Sequence, residues 1–497
     1  MRTAFAAVVT LGLVAFLAVP ALAGAPAPAP APAPKAAAPV GPGALFVESE
    51  EGAATKLVIS GSIRTVWDYT RNMVDFNSEN GNRNYREYLD SRVELGFLFK
   101  LADNVDVFLQ PQANYVWGGR RITSGTDTNT DDLSVSNAQG DDGLRIYQAW
   151  VALQPDILGM NTVIKVGRQE LELGSEMLVG NNSRYDGLSF DAVRMDIKPI
   201  DGLTTTLFGA KVLENDRAYV NGASTDISVE DPGDAYLFGL WNTFTGIADT
   251  KIDVYGLGFH SERGQGTTNN TLQVYNEVSL YTIGARLAIK PIELAEKNAL
   301  DVDLSIEAAT QFGRIDDGVD PVDISGAWGL EGEIGLTLGN TPWTPRFALG
   351  VALASGDTGD GSTDDHTFQP LFQDTTQRLG DADLVSLSNL KCWFAKASVK
   401  PAEILEIGGA FYRFEAMHVE TDVGGGNLTQ PGNGFAGLAG LDNDVANEVD
   451  IYADFKLTRN VSLRAVYAWV DPNDFLNDNL DGNSPASRFF AVLTVKW

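Results

Sequence analysis

Histidine, cysteine and clustered carboxylates are the residues on which catalysis or metal binding could rest, and this chain uses them sparingly. Its three histidines, His260, His366 and His418, lie far apart in sequence. Ser261 follows His260, but adjacent residues of a strand point to opposite faces, so they cannot form the nucleophile–base pair of a barrel hydrolase. There is no G-x-S-x-G elbow, P-loop, complete G-x-G-x-x-G or C-x-x-C-H. Cys392 is alone, which leaves no disulfide framework. Aspartates gather in "SGDTGDGSTDD" and "DPNDFLNDNLDGN". Asp357, Asp360 and Asp364 offer the oxygen ligands that Ca²⁺ takes, yet neither run has EF-hand spacing. Both read as solvated extracellular loops, with Ca²⁺ as the one ion they could hold. No catalytic residue and no resident cofactor is expected.

What recurs instead is charge at every second position. In "LVISGSIRTVWDY", Leu57, Ile59, Ile63, Trp67 and Tyr69 share one face, while Ser60, Ser62, Arg64 and Asp68 share the other. "RVELGFLFKL", "ALDVDLSIEAATQF" and "NEVDIYADFKL" alternate in the same way. This period is the strand signal, and no 3.6-residue pattern of comparable length competes with it. Connections discriminate between a soluble sandwich and a membrane barrel. "LADN" at 101–104, "KPIDG" at 198–202, "TGIADT" at 245–250, "VKPAEI" at 399–404 and "LTRN" at 457–460 are short. They alternate with long polar stretches at 70–84, 118–141, 214–234, 260–274, 356–384, 419–444 and 471–485. Short turns on one side and long loops on the other are the layout of an outer-membrane barrel. The count is about eighteen antiparallel strands, with short periplasmic turns and long extracellular loops. The chain ends on "RFFAVLTVKW", an alternating strand closed by an aromatic residue. In a barrel that strand pairs with the first, so no bare edge remains.

In such a barrel the apolar face meets lipid and the charged face lines the lumen. An Arg or Lys facing mid-membrane lipid would cost about 2–4 kcal/mol. The expected lining residues are therefore Arg64, Arg92, Glu94, Arg168, Arg194, Asp196, Arg286, Asp303, Glu307, Glu331, Glu333, Glu448, Asp450, Asp454 and Arg464. Facing acids and bases set up a transverse field that handles polar solutes without covalent chemistry. Guanidiniums bind carboxylates through two N–H groups and stay charged at every relevant pH. Arg194, between Val193 and Met195, is the expected basic side of a constriction, helped by Arg168, Arg64 or Arg286, with Glu331, Glu333 and Asp450 supplying acids from other strands. Arg168 shares a face with Ile164 and Val166, which places it at a strand end above the lipid.

Residues 1–23 have a positive start, an apolar core and the small-residue site Ala21-Leu22-Ala23, the pattern of a secretory signal peptide. Residues 24–44 are an Ala/Pro-rich linker, extended and semi-rigid, and the barrel is expected over 45–497. With 66 acids against 36 bases the formal net charge is −30, which excludes non-specific nucleic-acid binding. The expected setting is the outer membrane of a Gram-negative bacterium. Expected partners are outer-membrane lipid, lipopolysaccharide, the barrel assembly machinery and a polar solute.

One stretch is more specific than a period. "IKVGRQELELGSEMLVGNNSRYDGLSFDAVRMDIKP", Ile164 to Pro199, resembles the alginate-export porin family. The match is carried by Gly167-Arg168-Gln169-Glu170-Leu171, Gly174, Leu178-Val179-Gly180 and Ser189-Phe190-Asp191-Ala192-Val193-Arg194. "LRIYQAWVAL" precedes it, and "ASGDTGDGSTDDHTFQPLF" and "NEVDIYADFKLTRNVSLRAVYAWVDP" follow in order. The resemblance implies an eighteen-stranded outer-membrane porin that passes an anionic polysaccharide through an arginine-lined constriction. Arg168 and Arg194 are the arginines on matching motif positions. The function expected is passive passage, outward or inward, of a polar and anionic, saccharide-like solute. A surface adhesin or structural barrel with a plugged lumen is the alternative, and a barrel hydrolase a more distant one.

Overall fold

The computed structural model describes residues 44–48, 54–73, 76, 78, 85–117, 144–184, 186–213, 234–262, 264–268, 271–275, 277–295, 299–316, 321–357, 364–374, 379–419, 442–479 and 483–497. The signal peptide, the linker up to residue 43 and Asp360 fall outside this set.

Eighteen antiparallel strands close on one another. They are β1 (Ala54–Arg71), β2 (Tyr85–Ala102), β3 (Val105–Val116), β4 (Leu144–Leu153), β5 (Met160–Gln169) and β6 (Phe190–Ile200). The next six are β7 (Leu203–Leu213), β8 (Ala235–Phe244), β9 (Thr250–Ser261), β10 (Glu277–Ala295), β11 (Leu300–Asp316) and β12 (Val322–Thr337). The last six are β13 (Arg346–Ala354), β14 (Leu390–Ala402), β15 (Leu405–Ala416), β16 (Asp444–Lys456), β17 (Val461–Pro472) and β18 (Ala486–Lys496). Each pairs with its sequence neighbours, and β18 returns to β1 with Ser62 opposite Lys496 and Arg71 opposite Ser487. Below the seam, Gly61 and Trp497 exchange backbone hydrogen bonds of 3.1 Å each way. The terminal strand is thus sealed along its whole length. A short strand at Ala44–Glu48 pairs with the first residues of β1, on the edge that β18 does not reach.

Alternation sorts the side chains. Ile63, Val93, Leu95, Val166, Val193, Val254, Ile283, Leu349, Ile451 and Leu493 are exposed on the outer face, where lipid replaces water. Trp67, Tyr115, Trp117, Trp393 and Trp469 mark the long-loop end of this band, and Phe244, Trp343 and Trp497 the short-turn end. The register carries the opposite face inward, and all the charged lining residues named from the sequence except Arg168 lie on it. Arg168 is the correction. It pairs across to Asp191, on the face of Val166 and Val193, and binds that carboxylate through two bonds of 2.8 and 2.7 Å. The pair lies at the long-loop end of β5, and each charge neutralises the other on the outer face.

Candidate functional site

The lumen is not an open tube. The described parts of two connections, 170–184 and 186–189 between β5 and β6, and 355–357, 364–374 and 379–389 between β13 and β14, fold inward and meet. Val179 bridges Phe372 in parallel, with Gly180 donating to the Phe372 carbonyl at 2.8 Å and Phe372 to that of Leu178 at 2.9 Å. Leu171, Met177, Leu178, Val179, Phe368, Leu371, Phe372 and Leu379 are fully buried against Phe190, Leu237, Leu257, Phe259, Leu280 and Phe414 of the inner wall. An apolar core therefore sits inside the barrel. The first of these connections was not among the long loops expected from the sequence, because its apolar residues follow no strand or helix period.

The inward acids of the far wall hold the loop backbones. Glu307 accepts from the Ser175 amide at 2.7 Å and the Tyr255 hydroxyl at 2.8 Å, with Arg286 at 3.8 Å. Glu331 accepts from Gln373 at 3.0 Å, and Gln311 exchanges bonds of 2.7 and 2.8 Å with the Gln369 backbone. Glu448 accepts from the Ala382 amide at 2.8 Å and Asp450 from the Asp381 amide at 3.0 Å. Glycine is required at two of these clamps. Gly174 (φ +65°) and Gly380 (φ +89°) have left-handed backbones, and a Cβ on either would strike the carboxylate of Glu307 or Glu448. Glu307, Glu331, Glu448 and Asp450 are 1%, 4%, 0% and 2% exposed. The expectation that they line a solute path is corrected: they point inward, but the loops cover them. Within the first loop, burial and then the neighbouring Asp374 raise the Glu176 carboxyl above its ordinary range.

Other expected lining residues brace one another. Arg194 grips Asp196 at 2.9 Å, and Asp196 also takes the Thr206 hydroxyl at 2.5 Å. Its guanidinium is committed along its own strand. Arg346 spans Asp303 and Glu333 at 2.7 and 2.9 Å, and Lys396 meets Glu333 at 3.0 Å.

The open space lies beneath the loop tips, toward the short-turn ends of β14 to β18 and β1. A cavity of about 810 Å³ is lined by Arg64, Ser183, Arg184, Asp381, Arg464 and Thr494, among others. Asp381 at the tip of the second loop binds Arg184 of the first at 2.6 Å and Arg464 of β17 at 3.3 Å. Arg464 also holds Asp454 at 2.8 Å. The rim is basic: Arg92 donates to the Ser183 carbonyl at 3.4 Å and Arg145 to that of Asp186 at 2.5 Å. Arg184 and Arg488 stand 4.7 and 5.4 Å from the centre of the Phe490 ring. Arg488 is fixed by Asp68 at 2.5 Å, and Glu94 by Arg92 at 3.0 Å and Gln112 at 2.8 Å. Cross-strand register aligns Ser462, Thr494, Arg64 and Arg92 in one row. Arg64, Arg92, Glu94, Asp454 and Arg464 thus come together, a grouping that the sequence did not announce. Arg184 and Asp381 were missed because they lie in non-periodic loops. Arg488 could have been found, since it sits on the inward face of the terminal strand.

Cross-strand pairing also gives His260 a partner other than Ser261. Its Nδ1 lies 3.0 Å from the Ser279 hydroxyl on the outer face. Among the described residues no carboxylate hydrogen-bonds the other ring nitrogen, so no triad is assembled. Asp364 accepts from Ser325 at 3.0 Å, and among the described residues no group of three His, Cys, Asp or Glu side chains could hold a metal ion.

Comparison with known proteins accords with this geometry. A family profile described as alginate export matches residues 86–490. Among solved structures, OpdG of Pseudomonas aeruginosa superposes with a TM-score of 0.55 at 13% identity, covering 88% of this chain and 98% of that one. P. aeruginosa OpdK with vanillate gives 0.54 at 10% identity, covering 88% and 98%. The P. aeruginosa outer membrane protein OprD gives 0.51 at 12% identity, covering 88% and 92%. At these identities the likeness is one of fold. No curated protein matches.

Proposed function

The chain belongs to the alginate export family, an outer-membrane barrel of the porin type, and from that premise we propose that it conducts an anionic, saccharide-like solute from the periplasm outward. The observation that carries this reading is the cavity under the loop tips. Arg64, Arg184 and Arg464 line it together. Serine and threonine hydroxyls stand beside them and suit the polar groups of a sugar. We extend the proposal to the setting: cleavage near Ala23, insertion by the barrel assembly machinery, and lipopolysaccharide around the long-loop rim.

The test is reconstitution into planar bilayers, with conductance, ion selectivity and block by oligogalacturonate measured together. Replacing Arg64 and Arg464 by Gln should lower anion preference and weaken block several-fold, with heat-modifiable migration unchanged. Wild-type selectivity in that variant would refute the path. The buried core within the lumen favours a second reading, a structural barrel that is plugged. Absence of conductance in the wild-type protein would select it.

A further inference from the structure

Beneath the arginine cavity, at the short-turn mouth, lies a second recess of about 450 Å³. Lys456, Thr458, Arg459, Asn460 and Lys496 line it, and it shares Lys456, Ser462 and Thr494 with the cavity above. Its frame is fixed. Asn460 receives the Lys496 amide at 2.8 Å and donates its own side chain to the Lys496 carbonyl at 2.6 Å. The Lys456 amide reaches the Ile404 carbonyl at 2.8 Å, and Thr458 closes the turn onto Val461 at 3.1 Å. The turn, the last strand and the neighbouring hairpin are therefore tied together.

Three cations stand on this frame. Lys456, Arg459 and Lys496 are exposed, and none has a carboxylate within 4.0 Å among the described residues. Other short turns carry an acid: Asp103, Asp156, Asp249, Asp201 beside Lys198 and Glu403 beside Lys400. In a chain with 66 acids and 36 bases, an unneutralised cation cluster at one mouth is costly unless something anionic visits it. Register places Lys456 opposite Ser462, Ser462 opposite Thr494, and Thr494 opposite Arg64. Donors thus run without a break from the rim to the cavity.

We propose that Lys456, Arg459 and Lys496 form a capture site for carboxylated or otherwise anionic chains arriving from the periplasm, which passes them to Arg64 and Arg464. This rests on the anionic path proposed above. The site accelerates arrival from one side only; it does not tighten the complex in the cavity, because the cluster lies at the mouth. The measurement is block of single channels by hexagalacturonate, added to each side in turn. The probes are R459E/K496E and its neutral counterpart R459Q/K496Q, which leave Lys456, shared with the cavity, in place.

Charge reversal should lower the rate of block from the periplasmic side by about tenfold at low ionic strength, the scale of electrostatic steering. The Gln variant should fall between. Block from the other side and the rate of unblocking should stay at wild-type values, and the difference should vanish near 1 M salt, where screening is within about 3 Å. A periplasmic-side rate indifferent to both variants, or an equal loss from both sides, overturns the capture site while leaving the cavity intact. Absence of block in the wild-type channel from either side refutes the anionic path itself, and the capture site with it. If the reversed variant fails to assemble, the Gln variant carries the test.

Discussion

Asp381 concentrates the electrostatics of the passage in one side chain. Its carboxylate binds Arg184 from one infolded loop and Arg464 from the wall, while its amide is held by Asp450. Replacing Asp381 by Asn keeps the amide bond and removes the charge. Two guanidiniums are then left facing the cavity without that carboxylate. Anion preference and conductance should both rise, with thermal stability lower by about 1–3 kcal/mol, the scale for losing a partly buried charged partner. Reversal potentials in a salt gradient would read the change; unchanged selectivity would remove Asp381 from the path. Arg194 illustrates the limit of reading single residues. Its inward direction follows from alternation, but its partner, Asp196 two positions along the strand, depends on rotamers that alternation does not specify.

At the scale of elements, the decisive parts are the two infolded connections rather than the strands. Strands are legible because period two follows from backbone geometry alone. The connections are held by long-range contacts: Ser175 to Glu307, Gln369 to Gln311 and Ala382 to Glu448 are separated by 132, 58 and 66 residues. No local pattern announces such pairs. Gly380 tests the clamp. An Ala there combines a left-handed backbone with a clash against Glu448, whereas Gly326, also left-handed, has nothing within 4 Å of a Cβ. Gly326→Ala should therefore cost only the backbone strain, about 1–2 kcal/mol. Gly380→Ala should cost more and add open-channel noise as the loop tip loosens. Urea unfolding and single-channel recordings of the two variants compare them directly; equal costs would mean that the tip is not held by the wall.

The whole molecule depends on closure. The chain has no spare sheet edge along the seam because β18 pairs with both β17 and β1. Leu493, on the outer face of β18, is 40% exposed. Replacing it by Arg puts a charge toward lipid and should cost about 2–4 kcal/mol near the midplane. Heat-modifiable migration should then be lost or shifted to lower temperature, and an unaffected barrel would place that face away from lipid. Sequence alone determined the barrel, its strand count, the inward direction of most charges and the family, because each depends on local alternation or on short ordered motifs. Tertiary structure alone decided which inward acids are open. Glu307, Glu331, Glu448 and Asp450 have the same alternation as Arg64 and Arg464, yet they lie under folded-in loops. The physical reason is that alternation specifies a direction, whereas exposure depends on what the rest of the chain places in front of it.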